Sequence, residues 1–228
     1  MQEGNLSSKY YHRYLSSKVE DNAIYLYDKD SDEWQYLCRY LDVREIRTNI
    51  ITGDVEVELE YIHNDQIKSM TVSRDVFVKN KILNILPAKG IDVTDRNAMK
   101  VIDYLLYREQ DANFTNIHEQ VGWAEINNKR VFLLDKVVGG YSQAMYCGDL
   151  NIKPLGAYNK WKEVIENEVI GNSALELALV LGLSSPIASL LKRLLGLDVL
   201  FFHIYGDSAT GKTTALTLAT SVFGYPTK

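Results

Sequence analysis

Residues 199–214 read Val199-Leu-Phe-Phe-His-Ile-Tyr205-Gly206-Asp-Ser-Ala-Thr-Gly211-Lys212-Thr213-Thr214, and the reading of this stretch decides the fold. The run up to Tyr205 is apolar apart from His203, the pattern of a parallel-sheet strand covered on both faces. Residues 206–213 match G-x-x-x-x-G-K-[ST], and a helical pattern follows over 215–222. Glycines let the chain wrap so that successive N–H groups point at phosphate oxygens, and the amino end of the helix adds a favourable dipole. Gly206, Asp207, Ser208, Ala209, Thr210 and Gly211 are therefore expected to cradle phosphates. Lys212 would reach the β and γ phosphates as the catalytic cation, Thr213 would offer its hydroxyl to Mg²⁺, and Thr214 would touch the α-phosphate side. The expected ligand is ATP with Mg²⁺. A chance match in a chain of 228 residues arises roughly one time in a hundred, and the flanking strand and helix patterns lower that further.

Hydrolysis also needs an acid that holds Mg²⁺, ordinarily at the end of a later apolar strand. None follows Lys212, so the reading expects an incomplete domain, the chain stopping just after the phosphate loop and not hydrolysing ATP alone. Upstream, Val131-Phe-Leu-Leu-Asp135 and Ile24-Tyr-Leu-Tyr-Asp28 each end an apolar run in Asp. In a meander such an Asp is ordinarily the turn residue, which leaves Asp135, and behind it Asp28, as lesser Mg²⁺ candidates.

Ahead of the loop the character is helical. Asn159 is expected to cap a helix through about Ile170, Ser173-Ala-Leu-Glu176 to form a capping box, and Ser185 before Pro186 to start a third helix. Lys192 and Arg193 suit a last turn, closed by Gly196. The uncharged stretch 177–191 is shorter than the ~20 residues a membrane span takes, so it predicts buried core helices and no membrane. Residues 23–72 are dense in Tyr, Val, Ile and Thr between turn residues, an antiparallel meander in which 55–62 is a half-buried strand. Helices are expected over 73–86 and 94–109, the second burying Ala98, Val101, Ile102, Leu105 and Leu106. Strands are expected at 121–125 and 130–134 around the turn 126–129.

The fold class is thus α+β: an antiparallel β-rich module, a helical connector, then the first strand, P-loop and helix of an incomplete α/β NTPase domain. The expected divisions are a polar lead-in over 1–18, a β-rich domain with two helices over 19–138, a loop over 139–158, the connector over 159–198 and the ATPase start over 199–228.

Composition narrows the rest. Lys plus Arg number 25 against 30 Asp plus Glu, a formal charge of −5 that excludes a surface coated in basic charge. The apolar share of 46% and charged share of 24% are those of a folded globular chain. Cys38 and Cys147 stand far apart and the four histidines do not fall at ligand spacing, which argues against a zinc or disulfide framework and for a reducing cytoplasm. Asp28, Asp30 and Asp32 follow the first positions of a calcium loop, but Glu33 and Arg39 stand where Gly and Glu are required, so a solvated hairpin turn is expected. Tyr25, Tyr27, Tyr36 and Tyr40 could stack on single-stranded bases, although cross-strand packing is the commoner use. His203 is expected to be a buried, hydrogen-bonded strand residue.

The run from Gly122-Trp123 through Asp135, then Trp161-Lys162-Glu163, Gly171-Asn172-Ser173, and Gly206 through Leu216 followed by Ala219 and Val222-Phe-Gly224, resembles the family called domain of unknown function 927. The resemblance covers the chain from about Val19. It implies a P-loop ATPase of bacterial or phage mobile elements, similar to MCM-like AAA+ replicative helicases. Its expected partners are DNA and further copies in a homo-oligomeric ring, hexameric in one form. The alternative from another class is a non-motor ATP-dependent switch or assembly module.

Overall fold

Hairpins closed by Asn and Asp build the amino-terminal half. In the computed structural model, which describes residues 16–139, 143–196 and 201–224, β1 (Ser17–Glu20) and β2 (Ala23–Asp28) join through Asp21 and Asn22, both at positive φ. Asx residues tolerate that left-handed backbone, which two-residue hairpin turns require. β1 starts inside the expected polar lead-in, because Ser17 and Lys18 pair with Leu26 and Tyr25. β2 pairs with β3 (Glu33–Arg39) to complete a three-stranded sheet. β4 (Leu41–Asn49), β5 (Val55–His63) and β6 (Gln66–Ser73) follow as a second antiparallel meander. The expected strand over 55–62 is β5: Val57, Leu59 and Tyr61 are buried, while Glu58 and Glu60 face out toward Arg47 and Arg44.

The helix expected over 73–86 is broken. A 3₁₀ turn (Arg74–Val76) precedes α1 (Lys79–Ile85), and Val78, β-branched and extended at φ −125°, separates them. The helix expected from Thr94 starts later, as α2 (Ala98–Arg108), because the Asn97 side chain accepts from the Thr94 N–H and donates to the Leu37 and Asp92 carbonyls. Ala98, Val101, Ile102 and Leu105 are buried as expected; Leu106 is not, and lies on the wet side of α2. One apolar core collects Leu37, Leu41, Leu59, Ile82, Leu86 and Leu105 with their neighbours. Each such side chain contributes about 1.5–3 kcal/mol by burial. Two forked ion pairs border it: Arg108 on Asp42, at 2.8 and 3.0 Å, and Arg74 on the buried Glu109, at 2.9 and 2.8 Å. These elements form one compact unit, Met1–Thr48 with Gly53–Thr115.

The second unit is Asn49–Thr52 with Asn116–Lys228. It opens on the end of β7 (Asn113–His118), which pairs in parallel with the short β11 (Met145–Tyr146) inside the expected loop. β8 (Gly122–Ile126) and β9 (Lys129–Leu133) form the expected hairpin, turning at Asn127 and Asn128, both at positive φ; β10 (Val137–Val138) adds to β9. α3 (Tyr158–Val164) starts one residue before Asn159, with Ala157 at its cap, and runs into a π-helical turn, Ile165–Val169.

The two helices expected over 173–195 are one, α4 (Ser173–Leu195), ended by Gly196 in the left-handed conformation. Its cap is Asn172, whose Oδ1 accepts from the Leu175 N–H, while Glu176 accepts from the Gly171 N–H. The box expected from Ser173 is not formed: Asn172 is the cap, and Glu176 reaches back to Gly171, the residue before it. Pro186 lies in the interior and does not restart the helix. Around it, the Ser184 hydroxyl donates to the Leu181 carbonyl and the Trp123 indole donates to the Pro186 carbonyl.

Candidate phosphate-binding site

The site is the loop 206–211 and the first turn of α5 (Lys212–Ser221). Three left-handed positions bend it: Gly206 at φ 153°, Ala209 at φ 64° and Gly211 at φ 83°, the last capping α5. Two are glycines, for which such angles carry no Cβ penalty; Ala209 holds the third at a steric cost. The Thr210 hydroxyl donates to the Asp207 carbonyl at 2.9 Å and closes the bend. Lys212 folds back over it, its ammonium donating to the Gly206 carbonyl at 2.9 Å, to the Asp207 carbonyl at 2.5 Å and to Thr210 Oγ1 at 3.4 Å. A helix amino end, an exposed bent loop and a cation at its mouth are thus gathered in one place. Thr213 and Thr214 are exposed on the first turn of α5 beside them. The first N–H groups of a helix have no partner within it and form the positive end of its dipole, and the Lys212 ammonium adds a charge of the same sign at this end of α5.

The strand expected ahead of the loop is absent among the described residues. Leu197, Asp198, Val199 and Leu200 lie outside them, and residues 201–206 are neither helix nor strand. Phe201 is 84% exposed and Tyr205 85%. A strand needs a neighbour for its backbone groups, and no described strand lies alongside. His203 is correspondingly exposed, against expectation, and tilts toward Tyr205. Asp135 follows β9, where its carbonyl accepts from the Tyr146 N–H, and Asp28 ends β2 as a turn acceptor for the Asp30 N–H and the Gln35 amide.

What seats α5 was not singled out from the sequence. Gly182 of α4 lies so near α5 that a Cβ there would come within 2.2 Å of the Ala219 carbonyl. Beyond the last turn, a Cβ on Gly224 would come within 2.6 Å of Ile152 Cα. The Trp161 indole donates to Ser221 Oγ at 3.1 Å, and Ser221 donates on to the Leu218 carbonyl. A glycine inside a helical pattern is the signal that could have found Gly182, since it costs stability unless something packs there. The far side of α4 is different: Leu177, Val180, Leu183 and Ile187 are exposed, correcting the expectation of a buried core helix. By length and composition α4 is the one helix among the described residues able to cross a membrane; its packing on α5 and its bond from Trp123 are those of a helix within a folded unit.

The chain belongs to the family described as domain of unknown function DUF927, which matches residues 17–228. No curated protein matches it. It is similar in structure to SCCmec type IV Cch, an active helicase, at 22% identity and a TM-score of 0.62, over 93% of this chain and 41% of that one. The likeness is one of fold, and the chain spans about two fifths of that helicase's length.

Proposed function

We propose that residues 206–214 bind the phosphates of ATP with Mg²⁺ and that the protein works as a P-loop ATPase, a DNA helicase or replication motor of a mobile element. The observation that carries this reading is the position of the Lys212 ammonium, held by loop oxygens at the amino end of α5. A phosphate arriving there would replace those oxygens as its partners and gain the loop N–H groups as well. Gly206, Asp207, Ser208, Ala209, Thr210 and Gly211 would supply the cradle, Thr213 a hydroxyl ligand for Mg²⁺, and Thr214 a contact toward the α phosphate. When bound, Mg²⁺ would neutralise charge on the β and γ phosphates. The likeness in fold to an active helicase supports the motor reading, and assembly into a ring around DNA is part of the same proposal.

The test is fork unwinding by the full-length protein with ATP, beside its Lys212→Ala variant. ATP-dependent strand displacement by the parent and its loss in the variant are expected. ATP binding with no displacement on any fork would leave a switch in place of a motor.

A further inference from the structure

The outer face of the β1–β2–β3 sheet is a row of rings with no part in the phosphate site. Its inner face, through Ile24 and Cys38, belongs to the core. On the outer face the register sets Tyr25 opposite Tyr36 and Tyr27 opposite Trp34. The rings meet edge to face with centroids 5.8 and 5.4 Å apart. They are held from their ends: the Tyr27 hydroxyl donates to Asp32, the Tyr36 hydroxyl to Asp92, and Asp92 also accepts the Arg39 N–H at 2.7 Å. Trp34 and Tyr36 nevertheless stay 42% and 52% exposed. Rigid, exposed aromatics of this kind are what binding surfaces are made of.

Charge selects the occupant. The sheet, residues 17–39, holds six acids, Glu20, Asp21, Asp28, Asp30, Asp32 and Glu33, against Lys18, Lys29 and Arg39, a net charge of −3 on this one small sheet. A phosphate backbone would be repelled there, which argues against stacking on single-stranded bases. A cation would be attracted twice, by the carboxylates and by the negative ring faces. The sheet already displays that mode: the Lys18 ammonium lies 5.4 Å from the Tyr25 ring centre and 5.1 Å from that of Trp34, with Glu20 2.5 Å away.

We propose that this face docks a basic peptide segment of a partner protein, whose Lys or Arg side chains seat on the rings of Tyr25, Tyr27, Trp34 and Tyr36 between the flanking carboxylates. Lys18 is the internal competitor for those rings.

The test uses the full chain and a fluorescent oligolysine peptide, with the lysine-acetylated peptide and a labelled oligothymidylate as comparisons. Oligolysine is expected to bind and to weaken as salt rises, and the acetylated peptide, which lacks the charge, is expected to fail. Trp34→Leu should weaken oligolysine binding roughly 3- to 10-fold, the scale of one cation–ring contact. Lys18→Gln should strengthen it, an effect that a purely structural role for Lys18 would not produce. Should Trp34→Leu not fold, the exposed-tip double variant Asp30→Asn, Glu33→Gln is expected to weaken binding in its place. Unchanged affinity in folded Trp34→Leu, no gain in Lys18→Gln, equal binding of the acetylated peptide, or preference for oligothymidylate would each overturn the proposal.

Discussion

The two compact units solve the problem of apolar surface differently. In the first, inward positions of β2 to β5 close on α1 and α2, and a core of fully buried Leu, Ile and Val results. In the second, α4 turns Ala178 and Gly182 inward and leaves Leu177, Val180, Leu183 and Ile187 exposed, with Phe201 and Tyr205 more exposed still. The difference teaches that the amino-terminal unit is built around its own core. The unit holding the loop 206–211 has its helices fixed by a few close backbone approaches and indole bonds.

The sharpest way to break this comparison is a pair of matched truncations read by urea unfolding. Leu59→Ala, at a fully buried site of the first unit, is expected to cost about 3–4 kcal/mol, transfer and cavity terms together. Leu177→Ala, at a site 59% exposed on α4, should stay within about 0.5 kcal/mol. Similar costs for the two would show that the face of α4 is covered in solution.

Gly182→Ala is the next largest. A methyl group cannot fit against the Ala219 carbonyl, so α4 and α5 must separate. A loss of about 1–3 kcal/mol is expected, confined to the second unit and visible as faster amide exchange in α5. A neutral result would mean that the helices pack elsewhere.

The smallest effect concerns acid. The Glu45 carboxyl is held below its ordinary value of 4.5, first by the hydroxyl hydrogen bond from Thr115 and further by Arg47. A depressed carboxylate contributes stability that is complete above its unfolded value and is lost as pH falls through the folded one. Glu45→Gln should therefore flatten the acid limb of the first unit's stability below about pH 4.5 and leave the neutral range with the same slope. An unchanged acid limb would remove Glu45 from the account.

Much of the first unit was legible in the sequence because its signals are local. Asx turns fixed the hairpins of the meander, and alternation of Val, Leu and Tyr with Glu fixed which face of β5 is wet. Leu106 went astray because helical spacing selects a stripe but not its edge. In the second unit the loop and α5 were legible from spacing alone, as were the capping signals near Asn172 and Gly196. Pro186 misled, because a proline at a helix start and a proline inside a longer helix read alike locally, and α4 runs through this one from Ser173 to Leu195. The strand reading of 199–205 rested on a both-faces-covered environment, and such an environment is a property of neighbours that an apolar run cannot itself supply.

The central claim, that residues 206–214 are a phosphate cradle, is tested most directly by titrating the chain with a fluorescent ATP analogue and Mg²⁺, beside Lys212→Ala. The account expects saturable binding by the parent and an affinity about 10- to 100-fold lower in the variant, the scale of lost charge-assisted hydrogen bonds to phosphate. Equal affinity for the two proteins would contradict it.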